Sequence, residues 1–307
     1  MSSGGTKPTL LVTGCNGLLG QKLMTAARET YRTVGLDRGE QSLVPCDQYL
    51  SVDITHRDKV LEAVDGCKPG AVVNTAALTN VDACEKERDL AWAINVEGVR
   101  HLMEGCQRGG AMLVQISSDY VFDGEEGPYS EDSKPCPLGF YGTTKLESER
   151  VLAAGDLRWA VVRTNVLYGW ARGVRANFAL WVHSHVAAGK YIRAAIDQYG
   201  NPTLADNLAG GILALLSGNH QGLYHIAGAD YMSRWAFALK IARMFNLNHE
   251  LITPVLSSLL SQRAARPHWG GLKVEGTVGR LNFDMAGVQE GLTIMKEQLP
   301  TDKMEGL

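Results

Sequence analysis

Through the first half of the chain, short apolar runs rich in β-branched residues alternate with stretches in which apolar residues recur every three or four positions. The runs at 10–13, 32–37, 71–76, 112–117 and 159–164 predict strands. Between them, residues 21–29, 56–64, 82–106 and 141–154 predict helices. Strands alternating with helices at this spacing predict an α/β fold, a doubly wound parallel sheet covered on both faces. After residue 164 the pattern loosens. Helices are expected at 205–216, 234–245 and 285–299, with strands at 223–226 and 251–255. The expected division is therefore a regular domain over 1–164, with a return to its sheet at about 204–227, and a smaller, irregular C-terminal lobe over 165–307.

Composition narrows the classes. Of 307 residues, 45% are hydrophobic and 21% charged, as in a globular protein that buries its own core. The net charge of −3 comes from mixed acidic and basic residues, so neither nucleic acid nor a membrane is an expected partner. The six cysteines, at 15, 46, 67, 84, 106 and 136, form no CxxC pair, and no metal site is expected. Val12-Thr13-Gly14-Cys15 has the look of a lipoprotein cleavage site, but the apolar stretch before it is too short for a secretory signal. The expected location is the cytoplasm.

Glycine is enriched, at 34 residues, and its placement carries chemistry. Gly14-Cys15-Asn16-Gly17-Leu18-Leu19-Gly20 lies at the first strand–helix junction. A pyrophosphate there needs a tight turn, close backbone approach and a helix N-terminus with unpaired N–H groups. The spacing is GxxGxxG, not that of an ATPase loop. These residues predict dinucleotide binding, and with it a Rossmann-type sheet whose C-terminal lobe takes the substrate. Asp37, at the end of the second strand, suits the adenosine ribose hydroxyls of NADH; Arg38 beside it suits the 2′-phosphate of NADPH. Either is also explicable as a polar strand end. Asp53 and Ile54 are candidates for the adenine wall, and Ala76-Ala77 for the passage of the dinucleotide close to backbone.

Tyr141 and Lys145 stand four apart at the start of a predicted helix and share a face. An ammonium and a helix N-terminus beside a phenol are expected to lower its pKa toward the working range. Ten tyrosines and twelve lysines yield about 0.4 such pairs by chance, so the spacing alone is weak. Position strengthens it, because the preceding strand ends in Ser117-Ser118, at the edge of the sheet where ligands bind in such folds.

Together the glycine loop, Ser118 and Tyr141-xxx-Lys145 resemble the extended short-chain dehydrogenase/reductase family. Longer strings narrow the resemblance to its dTDP-4-dehydrorhamnose reductase group: Asn74-Thr-Ala-Ala-Leu-Thr-Asn-Val-Asp82, Ile116-Ser-Ser-Asp-Tyr-Val-Phe-Asp-Gly124, Tyr141-Gly-Thr-Thr-Lys-Leu-Glu147 and Arg163-Thr-Asn-Val-Leu-Tyr-Gly169. Ala265-Arg266-Pro267 resembles that group's C-terminal signature. The resemblance implies Ser118, Tyr141 and Lys145 as catalytic residues, with Tyr141 and Lys145 also at the cofactor. Asn16, Leu18, Leu19 and Asn95 join the glycines in holding NADPH, NADH being possible. Thr79, Asp119, Tyr120 and Val166 are implied at a sugar-nucleotide substrate.

Related dehydratases carry Asp-Glu after the catalytic hydroxyl. Here the pair is Asp119-Tyr120, which favours plain reduction of a 4-keto-deoxysugar nucleotide. Val166 departs from the group, which often has Trp there. The same strings are shared by the non-catalytic regulatory subunit of methionine adenosyltransferase, the rival reading. A monomer or homodimer is expected. His183 and His185 diverge by about 200° on a helix and are not expected to share a metal. The charge run 85–89 is expected to be a solvated helix face, and His268 and Trp269 are expected either to line a pocket or simply to pack.

Overall fold

The computed structural model describes residues 7–300. Its first half runs β1 (Thr9–Thr13), α1 (Leu18–Ala27), β2 (Arg32–Asp37), β3 (Gln48–Ser51), α2 (Arg57–Cys67), β4 (Ala71–Asn74), α3 (Val81–Lys86), α4 (Arg88–Trp92), α5 (Gly98–Gly109), β5 (Met112–Ser118), α6 (Phe140–Ala153) and β6 (Trp159–Thr164). The second half runs β7 (Leu167–Tyr168), α7 (Phe178–Ala187), β8 (Ile192–Ala195), β9 (Tyr199–Gly200), β10 (Thr203–Leu204), α8 (Ala205–Ser217), β11 (Gly222–His225), β12 (Met232–Ser233), α9 (Arg234–Met244), β13 (Ile252–Val255), α10 (Glu275–Leu281) and α11 (Val288–Gln298).

Seven strands form one parallel sheet in the order β11-β6-β5-β4-β1-β2-β3. Alternation along β1 explains its two covered faces. Leu10 and Val12 pack with Leu23 and Met24 of α1 and Leu208 and Ile212 of α8. Leu11 turns the other way, toward Val60 of α2, Leu102 of α5 and Leu152 of α6. Each such fully buried leucine contributes about 1.5–3 kcal/mol, and together they fix the register that places every strand's carboxyl end at one edge. A third core, centred on Tyr168, Phe237 and Leu292, belongs to the C-terminal lobe, where the two-stranded pairs β7–β10, β8–β13 and β9–β12 replace a continuous sheet. Among the described residues, no helix is long and apolar enough to cross a membrane.

Three differences from the sequence reading have local causes. The helix expected over 82–106 is broken: Glu87, at φ −112° and ψ 52°, ends α3, and a π-helical turn over Ala93–Glu97 joins α4 to α5. The charge run at 85–89 is more than a solvated face, because Glu85 Oε1 accepts a 2.6 Å hydrogen bond from the Phe140 N–H. That bond caps α6 from 55 residues away and holds the Glu85 carboxyl below its ordinary range. Finally, α10 and the short strands β7, β8, β9, β10 and β12 were not foreseen as elements.

Candidate active site

The loop after β1 is shaped by what its glycines exclude. Gly14 has φ +65°, and a Cβ there would stand 2.7 Å from the Ala76 N atom. A Cβ on Gly20 would overlap the Gly14 carbonyl, so α1 reaches close under β1 only without one. Gly17 caps α1 with no side chain, and no acidic residue occupies the first turn. The first N–H groups of that helix therefore face the loop with neither a capping side chain nor a carboxylate against them, which fits a dinucleotide pyrophosphate. Beside the loop lies a cavity of about 250 Å³ bordered by Gly14, Asp37, Arg38, Asp53, Ile54, Ala76 and Ala77.

The details of that wall differ from residue to residue. Asp37 Oδ2 accepts from the Asn16 N–H at 3.1 Å, and Oδ1 from the Gly39 N–H at 3.3 Å. The Asn16 side chain donates to Gln41 O at 3.0 Å and accepts from the Leu43 N–H at 2.8 Å. It braces the neighbouring loop and borders the larger cavity described below. Asp53 closes a tight turn by accepting from Thr55 N and Oγ1 at 2.9 and 2.8 Å. Arg38 lines the cavity and makes no hydrogen bond among the described residues.

A larger cavity of about 760 Å³ shares Gly17, Ala76 and Ala77 with the first and runs along the carboxyl edge of the sheet. β5 delivers Ser118 to it and the first turns of α6 deliver Tyr141 and Lys145; Leu18, Leu19, Thr79, Asp119, Tyr120 and Val166 are among the other lining residues. Tyr141 and Lys145 are 8% and 3% exposed. Burial, reinforced by Tyr120, Cys84 and Asp119, pushes the Tyr141 phenol well above its ordinary value. This reverses the expected lowering: protein groups alone leave the phenol firmly protonated. The same burial brings the Lys145 ammonium down to about 8, against an opposing pull from Glu149 and Cys84. The Tyr120 ring stands edge-on to Tyr141, with centroids 5.6 Å apart.

Two of the expected site residues are held by bonds within the protein. Asn95, in the π-helical turn, accepts from Leu78 N at 2.8 Å and donates to Leu78 O and Thr144 Oγ1. All its side-chain polar atoms are engaged, and it fastens the loop after β4 to α6. Asp119 is 3% exposed, and its oxygens accept from Ser118 Oγ at 3.1 Å, from the Gly271 N–H at 3.2 Å and from Asn165 Nδ2. It borders the same cavity beside Ser118, with its carboxyl pushed up to about 6 by burial. Val166 keeps its place in the wall in a left-handed conformation, φ +43°, that a β-branched residue rarely adopts.

The sequence reading assigned no role to Arg193, Arg234 or Arg266. Arg266 donates from Nη1 and Nη2 to Asp82 at 3.0 and 2.9 Å, bridging the C-terminal lobe to the start of α3. It borders both the main cavity and a further one of about 530 Å³, where Arg193 and Arg234 stand with Phe178 and Trp181. These arginines lie on separate elements, and only Arg266 sat in a quoted motif. His185 borders the same cavity. Trp269 stacks on Tyr199 at 4.6 Å and His268 leans on Asp197 O at 3.1 Å; neither lines a cavity described above. His183 is buried against Phe245, and among the described residues no group of three His, Cys, Asp or Glu side chains could hold a metal.

A family model described as the RmlD substrate binding domain matches residues 8–299. A dTDP-4-dehydrorhamnose reductase of Streptomyces griseus is 37% identical over 274 residues, covering 87% of this chain and 86% of that one. The methionine adenosyltransferase 2 subunit beta of Xenopus tropicalis is 32% identical, covering 80% of this chain and 74% of its own. Among solved structures, dTDP-4-dehydrorhamnose reductase from Bacillus anthracis, in complex with NADP, superposes with a TM-score of 0.87 at 31% identity, over 96% of this chain and 100% of that one. A glycine cradle, a buried hydroxyl–phenol–ammonium set and this breadth of similarity agree: the chain belongs to the RmlD substrate binding domain family, the group of the dTDP-4-dehydrorhamnose reductases.

Proposed function

We propose that the protein reduces the keto group of a 4-keto-6-deoxysugar nucleotide of the dTDP-4-dehydrorhamnose type, with NADPH as the preferred reductant and NADH as a possible one. One observation carries the reading: Ser118, Tyr141 and Lys145 meet in a single cavity that continues into the glycine loop. The nicotinamide supplies a hydride when bound. Ser118 orients the carbonyl, and Tyr141 gives its proton to the oxygen as negative charge develops there. A phenol that stays protonated until that moment suits an acid in the reducing direction. Lys145 holds the nicotinamide ribose and stabilises the phenolate left behind. Gly14, Gly17 and the start of α1 take the pyrophosphate, with Asp37 and Arg38 at the adenosine ribose. Arg193, Arg234 and Arg266 suit the diphosphate of the sugar nucleotide. We place the protein in the cytoplasm as a monomer or homodimer.

The rival reading, a non-catalytic subunit of methionine adenosyltransferase, has the likeness to that enzyme's beta subunit in its favour. The complete and buried reacting set favours turnover. NADPH oxidation over a panel of keto-sugar nucleotides tests the proposal. No oxidation with any of them, together with capture of a methionine adenosyltransferase catalytic subunit, would reverse it.

A further inference from the structure

Tyr120 and Arg266 border both of the larger cavities, so the two spaces meet there. One holds Ser118, Tyr141 and Lys145; the other sets Phe178 and Trp181 beside Arg193 and Arg234. A sugar nucleotide divides in the same way, with a sugar at one end, an aromatic base at the other and a diphosphate between them. The inference rests on the function proposed above: with the sugar at Tyr141, the diphosphate falls at the junction, beside Arg266.

How that guanidinium is held decides what it can offer. Its five N–H groups lie in one plane. Nη1 donates to Asp82 Oδ1 at 3.0 Å and to Ala264 O at 2.7 Å, and Nη2 donates to Asp82 Oδ2 at 2.9 Å. Both Nη1 hydrogens and one Nη2 hydrogen are thereby engaged. The Nε–H and the second Nη2–H remain, side by side on one edge, with no hydrogen bond among the described residues. Two parallel donors on a planar fork match two oxygens of a phosphate. Asp82 holds the same segment a second time, because Oδ1 also accepts from the Arg263 and Ala264 N–H groups at 3.0 and 2.9 Å. A carboxylate at the start of α3 thus fixes both the backbone before Arg266 and the outer end of its side chain. By charge alone, a carboxylate beside an anion site is a handicap. We propose that Asp82 is a positioning residue for the diphosphate of the sugar nucleotide: by taking the end of the Arg266 fork, it leaves the Nε edge free for the phosphate oxygens.

Calorimetric titration of dTDP into the full-length protein loaded with NADP+ reads this without turnover. Asp82→Asn suits the test, since the Asp82 side chain is 39% exposed and the oxygen that remains can still accept from Arg263 and Ala264. It should weaken dTDP about 10-fold, the scale of a hydrogen bond to a charged group. Loss of a negative charge alone would do the opposite. Arg266→Lys keeps the charge and loses the fork, and should weaken dTDP by a similar factor; unchanged binding there overturns the proposal. In the Arg266→Lys background, Asp82→Asn should weaken dTDP no further. NADP+ affinity should hold in every variant, and with a competent keto-sugar nucleotide the loss should appear in KM and not in kcat. A merely structural clasp predicts equal weakening by Asp82→Asn in both backgrounds. That result, or dTDP bound by Asp82→Asn as tightly as by wild type, overturns the inference and leaves the sugar-nucleotide reading in place. Failure of the wild-type protein to bind dTDP overturns both.

Discussion

Ser118 Oγ lies 3.1 Å from Asp119 Oδ1 and donates its proton there, so the orientation of the reacting hydroxyl is set by a carboxyl beside it. Burial raises that carboxyl to about 6. An acid whose folded value exceeds its unfolded one, about 3.9, binds its proton more tightly when folded, so folding stability falls as pH climbs from about 4 to about 6. Asp119→Asn removes this titration. The stability of the variant relative to wild type should therefore rise between pH 4 and pH 7 by up to about 3 kcal/mol. Urea unfolding of both proteins at the two pH values checks it; an equal difference at both would show that Asp119 does not titrate in this window.

Tyr141→Phe keeps the ring and its packing against Tyr120 and loses only the hydroxyl. Turnover should fall by about 10²-fold or more, with NADPH affinity within a few-fold of wild type. Because the wild-type phenol stays protonated far above neutrality, no limb of the wild-type pH–rate profile below about pH 10 should belong to it. Steady-state kinetics across pH would show otherwise if Phe at 141 abolished the alkaline limb.

Arg38 borders the adenosine cavity with no hydrogen bond among the described residues, whereas both Asp37 oxygens accept from backbone. Arg38→Ala should weaken NADPH by about 1–3 kcal/mol and leave NADH nearly unchanged. Calorimetric titration of both cofactors decides it. Equal weakening of the two, or none, would place Arg38 in solvent.

Val166 offers two effects at one position. Its φ of +43° is poor for a β-branched residue, so Val166→Gly should cost little stability despite the lost packing. Val166→Trp places an indole in the cavity wall and should shift relative kcat/KM among keto-sugars by about 10-fold. An unchanged substrate ranking in the tryptophan variant would remove position 166 from specificity.

The parts legible in the sequence are those fixed by neighbours along the chain. Gly14, Gly17 and Gly20 are confined to one turn, and Tyr141 and Lys145 to one helix, so spacing alone places them. What escaped depends on partners far apart. Arg266 meets Asp82 across 184 positions, and Asp119 meets Gly271 across 152. The expected lowering of Tyr141 failed for a related reason: charge at helical spacing is visible in sequence, but full burial beneath Tyr120 is not. Asn95 was expected at the cofactor, and the bonds its amide makes to Leu78 and Thr144 from a π-helical turn have no signal in local spacing.

The seventh strand has a consequence for how the two halves can change. β11 enters the sheet beside β6 only after the chain has crossed the lobe, and α8 seals the same face as α1. Lys22 of α1 is moreover tied to Asp206 at 3.1 Å and to Gln298 at 2.5 Å. A fragment ending at β6 would leave that strand's edge bare and the apolar side of α1 wet, so the nucleotide half is not a detachable module. Grafting a foreign lobe to alter sugar choice would therefore have to bring its own matching edge strand and cover helix. Point changes in the cavity wall are the easier route by which such a protein can drift from one sugar to another.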